Sequence, residues 1–130
     1  MSRVLALANQ KGGVGKTTTA VNVSADLARR GRRILLIDLD PQGNATSSLG
    51  VDKHGVERSS YDVLIEGRPV LECLLEAVRP RLDLLAANAS LAGAEVELVG
   101  VRNREFRLRE ALAEPRAGYD AIVIDCPPSL

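Results

Sequence analysis

The sequence contains no tryptophan, and Tyr61, Phe106 and Tyr119 are its only aromatic residues. Recognition of single-stranded nucleic acid by base stacking relies on aromatic side chains and is not expected here. Cysteine is scarce as well. Cys73 and Cys126 lie far apart and match no metal-ligand spacing, so two reduced thiols in a cytoplasmic protein are expected. No stretch approaches the ~20 apolar residues of a membrane-spanning helix. The apolar run within the opening MSRVLALANQK is too short to read as a signal peptide. Neither charge is in surplus: Lys plus Arg and Asp plus Glu balance at 17 each. No global field therefore draws the chain to nucleic acid or an anionic membrane, although a local basic patch is compatible with that balance. No internal repeat, low-complexity tract or linker is visible, and 130 residues suit a single domain with a real core.

What the sequence does contain is three short runs that are apolar throughout: VLALA (4–8), ILLI (34–37) and AIVI (121–124). Continuous Val, Ile and Leu, without alternation, suits parallel strands buried on both faces. Between the first two runs, Ala20, Val23, Leu27 and Ala28 recur near helical spacing, and Gly31 is placed to cap the helix. The RRGRR cluster around that glycine reads most simply as a solvated helix end whose cations complement the dipole, with nucleic-acid contact as the alternative. Strand, Gly-rich turn, helix and strand make a βαβ unit with a right-handed crossover. The fold class expected is therefore α/β, a mostly parallel sheet flanked by helices. Further along, SSYDVLIEG (59–67) predicts a short helix with a Ser N-cap, and VLECLLEAV (70–78) a second helix ended by Pro80. LDLLAA (82–87) predicts a strand, and 91–114 a helix broken near Gly100.

The polar residues fall at the ends of the apolar runs. The first runs into Asn9, Lys11 and the glycines, the second ends in Asp38 with Asp40 close behind, and the third ends in Asp125. Open α/β sheets bind ligands beyond the carboxyl ends of their strands, so all three runs deliver charged groups to one rim. In NQKGGVGKTTTA, Gly12, Gly13 and Gly15 free the backbone to aim successive N–H groups at phosphate oxygens. The helix starting near Lys16 adds the positive end of its dipole. Lys16 is placed to neutralise phosphates and Thr17 to coordinate Mg²⁺. Asp125 could hold Mg²⁺ directly or through water, or serve as a structural carboxylate or N-cap. Asp38 and Asp40 lie in a turn-rich loop of the kind that orders around a γ-phosphate, and one of them could orient the attacking water. For Asp40 a plain surface turn is an equal alternative. The usual phosphate-loop pattern, G-x-x-x-x-G-K-[ST], fails at one point, because counting back from Lys16 lands on Gln10 instead of Gly. An extra lysine, Lys11, stands on the lip of the loop. It is either a solvated side chain or one that reaches phosphates held by another subunit, as arginine fingers do.

Taken together these stretches resemble one family. KGGVGKTTT matches the deviant Walker A motif with its signature Lys11. LIDLDPQGNATSSLG is similar to the second motif and switch I of ParA/Soj-type chromosome and plasmid partitioning ATPases, and YDAIVIDCPPSL to their Walker B region. LLAANASLAGAEVEL also resembles the family's middle segment. The resemblance implies a P-loop NTPase-like fold in which Gly12, Gly13, Val14, Gly15, Lys16, Thr17 and Thr18 hold the phosphates of ATP. It implies Mg²⁺ at Thr17, with Asp125 joining through water and Asp38 near that shell. Asp40 would position the hydrolytic water, and Lys11 would cross the interface of an ATP-dependent sandwich homodimer. It further implies a cytoplasmic, nucleoid-associated protein that binds DNA non-specifically, answers to a ParB-like stimulating partner and does not enter the membrane. A MinD-like membrane-cycling ATPase would need an amphipathic C-terminal helix, which this sequence does not show.

Family members continue well beyond the Walker B strand, whereas this sequence ends five residues after Asp125. The resemblance therefore implies an incomplete domain over 1–130, an N-terminal half shortened after Walker B. Switch II, further strands and most of the DNA-binding surface would belong to the missing half. In the family's sheet the Walker B strand lies between the first two strands, which would leave the first as a bare apolar edge. Two readings follow: a ParA-like ATPase, or a non-catalytic remnant that binds nucleotide weakly and self-associates through that edge.

Overall fold

The structure, a computed structural model, describes residues 3–8, 14–40, 42–88 and 109–126. In chain order its elements are β1 (Arg3–Ala8), α1 (Val14–Arg29), β2 (Ile34–Asp38), α2 (Asn44–Ser48), α3 (Ser60–Leu64), α4 (Val70–Cys73), β3 (Leu75–Arg79), β4 (Leu82–Leu85) and β5 (Ala121–Cys126). The strands form a single sheet in the order β1-β5-β2-β4-β3. β1, β5, β2 and β4 run parallel, and β3 pairs antiparallel to β4. This is the mostly parallel α/β sheet expected from the sequence, with the 121–126 strand between the first two.

Both faces of the central strands β2 and β5 are covered, which is why these strands carry no polar alternation. Every residue of β2 is buried. Leu35 and Ile37 point into one core with Ile122, Ile124, Val63, Val70 and Leu112. Ile34 and Leu36 point into the other with Val123, Leu82, Leu84, Ala20 and Ala28. On the second face α1 lies close to the strands because Ala20, Ser24 and Ala28, successive at helical i, i+4 spacing, are all small and buried. α1 ends as the glycine suggests. Gly31 takes a left-handed φ of 90°. Its N–H donates to Ala28 O (3.1 Å) and that of Arg32 to Leu27 O (3.2 Å), the paired bonds of a Schellman cap.

The expected 59–67 helix is α3. The Ser59 hydroxyl accepts from the Tyr61 N–H, and the Asp62 side chain reaches back to the Ser59 N–H in a capping box. The 82–87 strand is β4. The 70–78 helix requires correction: helix α4 stops at Cys73, and Leu75–Arg79 is strand β3. Pro80 does not end a helix; it opens the tight turn from β3 to β4, with Arg81 at φ 63° in the pattern of a type II turn. Pairing with β4, together with a bond from the Ala77 N–H to Asp83 Oδ1 (2.8 Å), overrides the local helical pattern. Of the expected 91–114 helix, residues 91–108 lie outside the described residues, and 109–112 are helical.

β1 is one edge of the sheet, and its Val4 and Leu5 are 37% and 41% exposed. Among the described residues no strand pairs with its outer side, which is the apolar edge expected from the sequence.

Candidate functional site

Because β1, β5 and β2 are parallel, their carboxyl ends open on the same rim. β1 ends at Ala8, and α1 begins at Val14. Lys11, Gly12 and Gly13 lie in the intervening segment, outside the described residues. Val14, Gly15, Lys16, Thr17 and Thr18 form the first turns of α1, a 16-residue helix with no acid in its first turn. The unpaired N–H groups and positive dipole end of α1 therefore face the rim where β5 and β2 finish.

Asp38 and Asp125 occupy those finishing positions as direct neighbours, Cα partners in the β2–β5 register. Both are 0% exposed. The Leu39 N–H donates to Asp125 O (3.0 Å), extending the pairing one residue further. The Asp38 carboxylate is heavily used. Its Oδ1 accepts from the Asp40 N–H (3.0 Å), and its Oδ2 from the Thr46 N–H (2.9 Å) and the Thr46 hydroxyl (2.7 Å). Burial pushes the Asp38 carboxyl up to about 6 from an ordinary 3.8. The hydrogen bonds from Thr46 and Asp40 pull it down in part, and the neighbouring Asp125 adds to the rise.

Asp40 follows in a compact turn and is 8% exposed. Its Oδ1 accepts from the Gln42 N–H (2.9 Å), and its carbonyl from the Gly43 N–H (2.8 Å). Gly43, at φ 67°, is the N-cap of α2, and it has no side chain with which to cap. Asp38 supplies the missing acceptor from outside the helix, taking the Thr46 N–H three residues beyond the cap. Asp38 thus belongs to the loop's internal scaffold, while Asp40 stands at the rim.

Sequence reasoning does not single out Thr46 or Ser60, yet both are 0% exposed and bond to this cluster. Besides donating to Asp38, the Thr46 hydroxyl accepts from the Ala87 N–H (3.0 Å). The Ser60 hydroxyl donates to Asp38 O (2.8 Å), and the Ser60 N–H to Ala86 O (2.9 Å). Their only sequence signal is a small hydroxyl residue just inside a helix start, which is too common to be diagnostic.

Other candidates lie elsewhere. Arg29, Arg30, Arg32 and Arg33 are exposed at the opposite end of the strands. No disulfide joins Cys73 and Cys126; Cys73 is buried, and burial pushes its thiol up. No helix among the described residues is long and apolar enough to cross a membrane.

A family model described as an AAA domain matches residues 2–130. The sporulation initiation inhibitor protein Soj of Bacillus subtilis is 52% identical over 130 residues, covering 100% of this chain and 51% of that protein. The chromosome partitioning protein ParA of Myxococcus xanthus is 52% identical over 130 residues, covering 100% of this chain and 46% of that one. Among solved structures, cobyrinic acid a,c-diamide synthase from Mycobacterium smegmatis, with a bound ATP analogue and magnesium, matches at a TM-score of 0.90 and 46% identity. That match covers 98% of this chain and 52% of the other. The chain spans about half the length of the curated relatives it matches. By these matches the chain belongs to the AAA-domain family, with Soj and ParA chromosome partitioning proteins among its relatives.

Proposed function

We propose that this chain is the nucleotide-binding half of a Mg²⁺-dependent, ParA-like ATPase of DNA partitioning. One observation carries the reading: Asp38 and Asp125 are buried side by side at the rim toward which the first turn of α1 points. Burial and the mutual repulsion of the two acids disfavour charge at that point, so a cation held there would offset both. The donor set, carboxylate and hydroxyl oxygens, is the hard-oxygen kind that Mg²⁺ takes. Thr17 and Asp125 would hold the ion, with Asp38 behind them because its oxygens already accept three hydrogen bonds. When bound, Mg²⁺ would supply neutralisation of charge on the phosphate oxygens. Gly12, Gly13, Val14, Gly15, Lys16, Thr17 and Thr18 would cradle the phosphates of ATP. Asp40, at the rim, would orient the hydrolytic water. Lys11 would reach the ATP of a second subunit, making the dimer a nucleotide-dependent sandwich. The Mycobacterium smegmatis relative, solved with an ATP analogue and magnesium, supports the nucleotide and the ion. A ParB-like stimulating partner, non-specific DNA and a cytoplasmic, nucleoid-associated location complete the proposal.

Calorimetry with Mg²⁺-ATP, paired with light scattering, tests it. Lys16→Ala should abolish binding. Lys11→Ala should bind ATP normally but neither dimerise with it nor hydrolyse it. An unchanged ATP-dependent dimer in the Lys11 variant would refute the role in trans, and normal binding by the Lys16 variant would refute the site.

A second reading rests on the β1 edge, where Val4 and Leu5 are exposed on a strand that pairs, among the described residues, with β5 alone. There the chain would associate with a second copy of itself by edge pairing of β1, without a role for nucleotide. It requires a dimer that forms with concentration and ignores ATP, and Leu5→Lys should dissolve it.

A further inference from the structure

Thr46 and Ser60 join four elements that share no strand ladder at this point. From the Asp38 carboxylate the bonds run to the Thr46 hydroxyl (2.7 Å) and on to the Ala87 N–H (3.0 Å). From the neighbouring Ala86 carbonyl they return through the Ser60 N–H (2.9 Å) and hydroxyl (2.8 Å) to the Asp38 carbonyl. The ring is closed and its side chains are fully buried. It ties the carboxyl tip of β2 to the chain just beyond β4, with α2 and the start of α3 as the ties.

The ring also fixes a loop. Asp38 holds the Asp40 N–H on one oxygen and Thr46 on the other, so one carboxylate grips both ends of the 40–46 excursion. α2 is five residues long and lacks a side-chain cap of its own, so its position depends on this grip. The Thr46 hydroxyl has a single proton, and it is committed to Asp38. Its lone pair takes the Ala87 N–H, which has no sheet partner to fall back on in the register.

We infer that Thr46 is a positioning residue of the rim, holding Asp40 in place by locking the Asp38 carboxylate to Ala87, with Ser60 closing the lock from the other side. The inference rests on the ATPase reading above. In that reading the phosphates sit at the start of α1, and none of the ring's bonds runs to α1. Loss of the hydroxyl therefore separates turnover from binding.

The test compares Thr46→Val, Thr46→Ser and Tyr119→Phe in the intact protein. Valine keeps the shape and deletes the hydroxyl. Serine restores it. Tyr119→Phe removes a hydrogen bond at the far end of the same sheet and so controls for loss of stability. Thr46→Val should lower kcat for ATP hydrolysis on the order of tenfold or more, with the Kd for ATP changed by less than about threefold. Thr46→Ser should recover most of kcat, and Tyr119→Phe should leave it unmoved. Equal losses of kcat in Thr46→Val and Tyr119→Phe, or failure of serine to rescue, would overturn the inference. Should Thr46→Val not fold, Ser60→Ala opens the ring more gently and is expected to give a smaller loss of the same kind; an unchanged kcat there counts against it. Amide exchange separates this inference from the ATPase reading. If the wild type binds but never hydrolyses ATP, that reading fails by itself. Faster exchange in Thr46→Val confined to 40–46 and Ala87 then upholds the lock, and unchanged exchange there overturns it.

Discussion

The two ends of the sheet carry opposite charge and handle it by opposite physics. At the carboxyl end, Asp38, Asp40 and Asp125 are all buried. At the amino end, Arg3, Arg33 and Arg81 stand at the starts of β1, β2 and β4, joined by Arg29, Arg30, Arg32 and Arg79, and all seven are exposed. Exposed guanidinium groups keep their hydration and cost little. Keeping Asp38 charged is disfavoured, because burial pushes its carboxyl up from 3.8 to about 6. A fold retains such a cost where a buried charge has a use. The α1 helix connects the two ends and suits both: its positive N-terminus faces the acids, while Arg81 Nε donates to Ala28 O (3.0 Å) at its C-terminus. The topology supplies the two ends, since the four parallel strands all begin at one and finish at the other.

Removing Asp38 should break the comparison most severely. Asp38→Ala leaves the Asp40 N–H, the Thr46 N–H and the Thr46 hydroxyl without their acceptor, each worth roughly 1–3 kcal/mol. Relief of the buried charge returns part of that. The expected net loss is about 2–4 kcal/mol in denaturant unfolding. Asp38→Asn keeps the shape and one acceptor oxygen but turns an NH₂ group toward existing donors, and should lose about half as much. Stability equal to wild type in Asp38→Ala would mean that the 40–46 loop is held by something else.

Tyr119→Phe probes the amino end with a smaller effect. The Tyr119 hydroxyl donates to Asp83 Oδ2 (2.5 Å), and the Asp83 Oδ1 accepts from the Ala77 N–H, so one bond supports the β3–β4 pairing, whose register shifts between Leu75 and Arg79, through another. Burial and the Asp83 carboxylate both push the Tyr119 phenol up, so it stays a donor throughout the neutral range. A partly buried bond to a charged acceptor is worth about 1.5–3 kcal/mol, so an expected loss of about 1–2 kcal/mol allows for solvent at the site. ATP affinity should not move. A change in affinity would show that the two ends are coupled through the sheet, which sharpens the comparison into one about transmission.

The same contrast explains what the sequence made legible. β2 and β5 could be read because strands covered on both faces are apolar without interruption, β1 because its run is equally apolar although Val4 and Leu5 are exposed, and Asp38 and Asp125 because they punctuate those runs. The Gly31 cap and the Ser59 N-cap were legible because caps depend on neighbours a few residues away. β3 was not. Its residues carry a helix-compatible pattern, and what makes them a strand is pairing with β4 and the bond from Ala77 to Asp83, neither visible locally. Thr46 was hidden for the same reason: its partners, Asp38 and Ala87, lie 8 and 41 residues away. The roles of Lys11, Gly12 and Gly13 rest on the motif, since those residues lie outside the described ones.

Asp26→Ala should have the smallest effect. Asp26 pairs with Arg30 (3.0 Å) and Arg29 (3.6 Å) on the last turns of α1, in the favourable order of acid before base. Asp26 is 48% exposed in its side chain, and its partners more so, so water and salt already screen both pairs. Pairs of this kind contribute about 0.3–0.5 kcal/mol each, and they share one carboxylate here, so the loss should stay near about 0.5 kcal/mol. It should vanish in ~1 M salt, where the Debye length falls to about 3 Å. The Asp38→Ala loss should persist in that salt, because its bonds are buried beyond the reach of screening ions. If the Asp26→Ala loss matched that of Tyr119→Phe and resisted salt, the arginines would be held in a rigid lattice, and the amino end would have to be described by the same buried-network physics as the carboxyl end.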